Sequence, residues 1–382
     1  MRKPVFGLIL VGVAASLVLS ACSSSKKSSS GNSSSAAGSS SVASSSSSGG
    51  SGGSFDGKGA KVGIILPDTT SSPRWVSSDP VALAADCKKD NLSCDIQNAN
   101  GSAATMQTIA NQMLSNGVKA LMIVDLDSAS GAAIEQAANK AGVITVDYDR
   151  LTLGGGASLY VSFDNSKVGA LQGQALTQCQ QVKGKSAVKY VEIDGKASDN
   201  NALLFKQGYE SVLSKTPGWT LVSDQNGQWD GPTAGQVFNT MLAATPDINA
   251  VMVANDTMAD AVITDLQSAH LNGQVAVSGQ DATSAGLQHI MDGDQCFTIY
   301  KPTAQESGPA IDAIAQLVTG KTPAGTTTIK DTQTGKDVPA LLATPIVITK
   351  DNVADPINSG DTSKSATCTG AYAAKCTAAG VK

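Results

Sequence analysis

One unit recurs along most of this chain: a short run rich in valine and isoleucine, a polar turn, and an alanine-rich stretch with helical periodicity. The predicted strands are residues 62–66, 95–98, 120–124, 144–148, 159–163, 188–193, 220–223, 250–254, 275–278 and 297–300. The predicted helices are residues 103–115, 132–141, 167–178, 201–213, 233–243 and 258–269. Apolar strands that alternate with helices form parallel sheets covered on both faces. Because ten strands are too many for one comfortable open sheet, we predict an α/β fold with two lobes.

The N-terminal residues have the pattern of an export signal. A basic pair precedes an apolar run over residues 5–19, and small residues then lead to Cys22. The run is shorter than the ~20 residues of a membrane-spanning helix, and its flanks are typical of a secretory signal. A cysteine directly after small residues resembles a bacterial lipoprotein box, which implies that residues 1–21 are removed and that Cys22 is acylated. An ordinary signal with an incidental cysteine is the alternative.

Residues 22–57 are predicted to form a tether. They are mostly serine, glycine and alanine, a composition that cannot bury enough apolar surface to fold. A flexible chain of this length has an r.m.s. reach of ~30 Å. We therefore expect an extracytoplasmic body that the lipid on Cys22 anchors to the outer face of the cell membrane.

Composition narrows the function classes. Charged residues make up 15% of the chain, the net charge is −5, and the body contains no basic run, so nucleic acid is not an expected partner. His270 and His289 have no histidine or cysteine at ligand spacing, and we expect no metal. We expect no cofactor either, because the glycine run at residues 154–156 lacks the Lys-Ser/Thr of a phosphate loop and precedes a strand.

The cysteines are predicted to form disulfides. Six remain besides Cys22, and an even number in an exported chain favours pairing. Cys87 and Cys94 flank a short polar turn between a helix and a strand, and are the first expected pair. The other four can pair in three ways, and spacing weakly favours the last two; they are Cys179, Cys296, Cys368 and Cys376.

Polar side chains follow nearly every predicted strand, at the carboxyl ends where parallel α/β sheets bind ligands. Helix capping explains some of the acids and amides, but Arg150, Gln280 and Lys301 are poor caps. Two tryptophans also stand beside polar loops. The set comprises Trp75, Asp125, Asp149, Arg150, Trp229, Asn255, Asp281 and Lys301.

These residue types suit a monosaccharide. A sugar presents hydroxyl groups around its edge and C–H groups on its faces. Acids, amides and basic groups pair with the hydroxyls, and an aromatic ring packs against a face. The sequence therefore predicts a pocket for a small polyhydroxylated ligand.

Six segments also carry a resemblance to a known family. The body resembles the periplasmic sugar-binding proteins of ABC importers, in the ribose/galactose-binding superfamily, and among them the D-xylose-binding proteins. The resemblance runs from residue 61 to about residue 355. Its motifs are YDRLTLGGGASLYVSFDNSKVGALQGQAL (148–176), SDNNALLFKQG (198–208), AND (254–256), SGQDA (278–282), TIYKP (298–302) and KDVPALLATPIVITKDN (336–352).

The resemblance implies a type I periplasmic binding protein, or Venus-flytrap, in which two Rossmann-like lobes are joined by a three-segment hinge. The chain would cross between lobes after residues 148–150, near residues 279–282 and near residues 300–302. These crossings give a first lobe of residues 58–149 plus 282–301 and a second lobe of residues 150–281 plus 302–355. Residues 356–382 remain as a cysteine-containing tail.

The resemblance also implies which residues bind the sugar. The first lobe and the hinge would contribute Arg74, Asp125, Asp149, Arg150 and Lys301, the second lobe Asn200 or Asn201, Asn255 and Asp281, and the rings of Trp75 and Trp229 would sandwich the sugar. The loops around the two tryptophans differ in length from the family pattern, which leaves the preferred sugar open.

The implied function is capture without chemistry. A monomeric, lipid-anchored protein would close on D-xylose or a related aldose and deliver it to an ABC permease and its ATPase subunit. Catalysis is not expected, because Arg150 and Lys301 would keep the neighbouring carboxylates ionised. One alternative is a sensor whose liganded form docks on a chemoreceptor or sensor kinase. A sugar-acting enzyme is the remote alternative.

Overall fold

A computed structural model describes residues 54–382 of the protein. The predicted signal, Cys22 and the tether up to residue 53 lie outside the described residues. Within residues 54–382, no helix combines the length and the apolar character that crossing a membrane requires.

Strands and helices alternate over most of the described chain. The strands are β1 (Lys61–Leu66), β2 (Ser93–Asn98), β3 (Ala120–Ile123), β4 (Ile144–Tyr148), β5 (Leu159–Phe163), β6 (Val188–Asp194), β7 (Trp219–Asn226), β8 (Ala250–Val253), β9 (Ala276–Val277), β10 (Thr298–Tyr300), β11 (Thr327–Lys330), β12 (Asp337–Ala343) and β13 (Ile346–Ile348). The helices are α1 (Asp79–Lys89), α2 (Ala103–Ser115), α3 (Ser128–Lys140), α4 (Asn165–Gln178), α5 (Asn200–Leu213), α6 (Gly231–Ala244), α7 (Asp256–Ser268), α8 (Ser284–Asp292), α9 (Ala304–Val318), α10 (Asp355–Asn358), α11 (Lys364–Thr367) and α12 (Tyr372–Ala378).

The first lobe is built on a seven-stranded sheet in the order β11-β12-β5-β4-β3-β1-β2. Its pairings are parallel except that of β11 with β12. Apolar residues of α1 and α9 cover one face, and those of α2 and α3 cover the other. Burial on both faces explains why β3 reads as a continuous apolar run.

The second lobe is built on a four-stranded parallel sheet in the order β7-β6-β8-β9. Helices α4 to α7 pack around it, and α8 packs on α7. Ile299 of the antiparallel pair β10-β13 and the preceding Phe297 belong to the same core. The prediction of an α/β fold with parallel sheets and two lobes is confirmed.

The predicted lobe boundaries differ from this arrangement. Strand β5 pairs with β4 and β12, so the first lobe continues past residue 150. The assignment of residues 282–301 to the first lobe and of residues 302–355 to the second is wrong in most of its length. Helix α8 packs on α7 of the second lobe, whereas α9 packs on α1 and β12 pairs within the first sheet. The chain passes between lobes after β5, between β10 and α9, and between β12 and β13.

All six described cysteines form disulfides. Cys87 pairs with Cys94, and Cys368 pairs with Cys376, as predicted. The remaining bond, which spacing left open, joins Cys179 at the end of α4 to Cys296 just before β10. The residues predicted as a tail fold into α11, α12 and most of α10, and pack with α8 in a small apolar core.

Candidate functional site

Side chains from the carboxyl ends of both parallel sheets line one cavity between the lobes, the interlobe cavity. It is narrow in this structure: about 30 Å³ is open to the centre of a water-sized sphere, room for about two water molecules. The lining residues are Ser71, Ser72, Arg74, Trp75, Asp149, Arg150, Asp199, Asn201, Phe205, Trp229, Asn255, Gln280, Asp281 and Lys301.

Arg74 is held rigidly at one wall of the interlobe cavity. It lies in a short 3₁₀ turn, Pro73–Trp75, and its guanidinium donates to Asp79 at 2.7 and 2.8 Å and to Asp149 at 3.0 Å. It also donates to Glu306, a buried carboxyl whose pKa burial raises to about 8 despite the charge of Arg74. Because these partners use most of its five N–H groups, Arg74 has a fixed direction and little remaining capacity.

Asp149 and Arg150 follow β4 and enter the cavity from the first lobe. The backbone of Asp149 has a φ of 62°, a left-handed conformation that Asp and Asn adopt more readily than most residues. Burial alone would raise the pKa of Asp149, but the charges of Lys301, Arg74 and Arg150 hold it below its ordinary value. Asp149 therefore lines the cavity as an ionised acceptor.

Arg150 points across the lobe interface. Its Nη1 donates to the backbone oxygen of Asp125 at 2.7 Å, and its Nε lies 3.1 Å from the carboxylate of Asp199. Burial would lower the pKa of Arg150, but Asp199 and Asp149 raise it above its ordinary value. The guanidinium thus stays charged in a nearly dry site.

Two asparagines of the second lobe reach the first. Asn201, in the first turn of α5, donates to the backbone oxygen of Asp149 at 2.9 Å. Asn255 caps α7 by accepting from Met258 N, and its Nδ2 donates to the backbone oxygen of Ser71 at 2.9 Å. These contacts hold the two sides of the cavity together.

Asp281 and Lys301 form the remaining charged pair. Their charged groups lie 3.7 Å apart, and Lys301 Nζ lies 3.4 Å from Asp149. Burial would lower the pKa of Lys301, but Asp149 and Asp281 raise it. The pair therefore offers one strong donor and one acceptor side by side.

Three aromatic rings complete the lining. Trp75 packs under Arg74, whose Cζ lies 4.5 Å from the ring centroid, and donates its Nε1–H to Ser71 Oγ at 3.2 Å. Trp229 donates its Nε1–H to Asp199 at 3.0 Å and meets the ring of Phe205 edge-on, with centroids 6.3 Å apart. The site thus combines apolar ring surfaces with charged hydrogen-bonding groups.

Most predicted site residues line the interlobe cavity, but two do not. Asp125 is buried beside it and contributes its backbone oxygen to Arg150. Of the alternatives Asn200 and Asn201, the second lines the cavity. The lining residues that were not among the expected ligand-binding residues are Ser71, Ser72, Asp199, Phe205 and Gln280, although Gln280 stands out in the sequence as a poor helix cap at a strand end. Phe205 lies four residues after Asn201, on the same face of α5, and that spacing was a usable signal.

A group of carboxylates elsewhere is not part of this cavity. Glu192, Glu210 and Asp224 come close enough together to hold a cation. The ammonium of Lys206 already lies among them, 2.7 Å from Asp224 and 3.1 Å from Glu192. The group is therefore neutralised in part by the chain itself.

The chain is similar in sequence and in structure to known periplasmic binding proteins. Residues 62–322 match the model of a family described as "Periplasmic binding protein domain". The D-xylose-binding periplasmic protein of Escherichia coli (strain K12) is 32% identical over 307 residues, which cover 78% of this chain and 90% of that protein. The multiple sugar-binding periplasmic receptor ChvE of Rhizobium radiobacter is 30% identical over 310 residues, covering 76% and 87%. The crystal structure of a carbohydrate transporter solute-binding protein from Chloroflexus aurantiacus in complex with D-glucose has a TM-score of 0.72 and 29% identity, covering 80% and 97% of the two chains.

Proposed function

We propose, because this chain belongs to the periplasmic binding protein family, that it captures a monosaccharide in the interlobe cavity without altering it. Its relatives are sugar-binding periplasmic proteins of the kind that serves ABC-type transport. The proposal for this chain goes further, to an aldose of the size of D-xylose and to the residues that bind it.

The observation that carries the proposal is the alternation of charges and rings around one small cavity. Asp149 and Asp281 are acceptors, Arg150 and Lys301 are donors, and none of the four side chains is more than 8% exposed. A hydroxyl group donates one hydrogen bond and accepts others. A ligand with hydroxyl groups around its ring can therefore pair with the acids and with the basic groups at the same time. A ligand with a single charge would leave either the acids or the basic groups of the cavity without partners, and a buried polar group without a partner costs free energy.

Trp75 and Trp229 are proposed to pack against the C–H faces of the sugar ring. Their indole N–H groups already donate to Ser71 and Asp199, so the rings have fixed orientations. Fixed rings lower the entropy that is lost on binding. Lys301, Arg74 and Arg150 hold the pKa of Asp149 below its ordinary value, which does not favour proton transfer by this carboxylate.

A sugar panel tests the proposal. The purified full chain is heated with D-xylose, L-arabinose, D-ribose, D-glucose or D-galactose, with L-leucine as a control ligand of similar size. A sugar present at 100 times its dissociation constant should stabilise the protein by ~2.7 kcal/mol, and scattering should show a more compact particle. No saturable stabilisation by any of the sugars would overturn the proposal.

We propose further that the lipid on Cys22 holds the protein at the membrane and that the captured sugar passes to a permease with its ATPase. Replacement of Cys22 by serine should move the protein from the membrane fraction to the soluble extracellular fraction. An unchanged distribution would contradict the anchor without touching sugar binding.

The second candidate function is sensing, which the relative named as a receptor supports. Deletion of the gene distinguishes transport from sensing. Loss of labelled sugar uptake is expected for transport. Normal uptake together with a lost cellular response to the sugar would favour the sensor.

A further inference from the structure

The segment from Ser359 to Lys382, here called the C-terminal clasp, lies against the two chain segments that carry Asp281 and Lys301. It begins after the end of the family match at residue 322. The disulfide between Cys368 and Cys376 joins its two helices, α11 and α12. It therefore lies outside the matched part of the chain and touches the proposed ligand site from outside.

One contact of the clasp supports the backbone beside Asp281. Thr362 is 8% exposed, and its Oγ1 donates to the backbone oxygen of Ala282 at 2.7 Å. Asp281 and Ala282 have φ angles of 95° and 50°, conformations that cost energy for residues with a side chain. Such a backbone persists only where its surroundings hold it, and Thr362 is part of those surroundings.

The neighbouring residue of the clasp, Asp361, contacts residues on both sides of Lys301. The carboxylate of Asp361 accepts hydrogen bonds from the hydroxyl of Tyr300 and, at 3.1 Å, from the backbone N–H of Thr303. Lys301 Nζ has only the longer contacts of 3.4 and 3.7 Å to Asp149 and Asp281. Its position therefore depends on how the backbone is held.

The clasp is fixed to the second lobe. Cys376 and Tyr372 belong to the apolar core that contains Leu287 and Ile290 of α8. Thr367 Oγ1 donates to Ser284 Oγ at 2.9 Å. The Asp361–Thr303 contact reaches the residue before α9, a helix of the first lobe. The clasp thus spans the place where the chain passes from one lobe to the other.

We propose that Asp361 and Thr362 are positioning residues of the interlobe cavity, and that they hold Lys301 and Asp281 in the geometry that binds the sugar. The inference rests on the proposed function. It assigns part of the affinity to a segment that does not line the interlobe cavity.

The test compares matched substitutions in the same clasp. Thr362→Val removes the hydroxyl that supports Ala282, and Thr377→Val makes the same change at an exposed position of α12, where the hydroxyl bonds only within its helix. We expect Thr362→Val to raise the dissociation constant for the best sugar of the panel about tenfold, and Thr362→Ser to restore it. Thr377→Val should leave it within about twofold. Calorimetry is done below the unfolding temperature of each variant, so that only folded protein is compared.

A second substitution addresses Lys301 independently. Asp361→Asn weakens the acceptor for Tyr300 and Thr303, and Asp351→Asn is the exposed control. Asp361→Asn should also raise the dissociation constant about tenfold, and should shift the sugar-induced change in the fluorescence of Trp75 and Trp229. Wild-type affinity in both Thr362→Val and Asp361→Asn would overturn the inference. If the wild-type protein binds no sugar, the proposed function fails, and the inference fails with it.

Discussion

At the scale of single residues, Asp281 carries the sharpest prediction for ligand binding. Its carboxylate lies 3.7 Å from Lys301, and its φ of 95° suits Asp or Asn better than Ala. Asp281→Asn therefore removes the charge with little change of backbone. Hydrogen bonds to a charged group are worth ~1.5–3 kcal/mol, so affinity for the sugar should fall tenfold or more in calorimetry. Asp260→Asn, at an exposed site of the second lobe, is the control, and equal affinities in the two variants would remove Asp281 from the site.

Glu192 provides a prediction about pH. It is fully buried, its Oε1 has no hydrogen-bond partner, and burial raises its pKa from 4.5 to about 7 despite the nearby Lys206. The folded protein therefore holds this proton more tightly than the unfolded chain does. Stability falls as the pH rises from about 4.5 to about 7, by about 3 kcal/mol in all.

Glu192→Gln should remove that cost. In urea unfolding at pH 8 the midpoint of the variant is expected above that of the wild type, and the two midpoints should converge near pH 4. Glu210 contacts the same Lys206 but has a side chain that is 40% exposed, so Glu210→Gln should change little at either pH. A wild-type midpoint at pH 8 equal to or above that of Glu192→Gln would contradict the assignment.

The sequence located many of the residues around the cavity, because parallel sheets bring the ends of their strands together. Asp149 and Arg150 follow β4, and Asn255 follows β8. The same rule failed for Asp125, which follows β3 but does not line the cavity. The rule predicts where along the chain a residue lies, and not the direction of its side chain. Ser71 and Ser72 had no signal at all: small hydroxyl residues are common in loops.

At the scale of elements, the strands before residue 300 were predicted closely, and the helix expected before Cys87 is α1, whereas α9 and the strands β11 to β13 were missed. Helix α9 contains Pro309 and strand β12 contains Pro339. Proline interrupts both patterns in a sequence, because it lacks an N–H group. Tertiary packing of these elements in the first lobe outweighs that local penalty.

The close approach of α4 and α5 gives a prediction at this scale. A Cβ added to Gly169 would lie 2.1 Å from the backbone oxygen of Phe205, so the two helices would have to separate. Gly169→Ala should destabilise the protein by about 3 kcal/mol in urea unfolding. Gly235→Ala is the matched control, because its nearest neighbour is the end of the Asp265 side chain at 3.2 Å. That variant should differ from wild type by less than about 1 kcal/mol, and equal losses in both would refute the packing explanation.

At the scale of the whole molecule, the sequence predicted two lobes but not which segments belong to each. A crossing between lobes has no local pattern: β5 reads like any other strand, although the chain leaves the first lobe directly after it. Helices α8 and α9 each carry buried apolar residues, yet they pack on opposite lobes. The pairing of Cys179 with Cys296 depends on the same long-range arrangement, and so spacing could not determine it.

That disulfide supports a prediction about the molecule as a unit. The Cys179–Cys296 bond spans 117 residues, most of the second lobe, whereas Cys87–Cys94 spans 7. A cross-link stabilises by restricting the unfolded chain, and the loop-closure model gives ~4.9 kcal/mol for the long loop against ~2.5 kcal/mol for the short one. The paired replacements Cys179→Ala with Cys296→Ala should therefore cost about twice as much free energy of unfolding as Cys87→Ala with Cys94→Ala, measured in urea without reductant. Both double replacements remove two sulfur atoms, so the difference between their losses of unfolding free energy reflects the difference in loop length. If the Cys87→Ala, Cys94→Ala variant were the less stable of the two, the loop-closure explanation for the Cys179–Cys296 bond would be wrong.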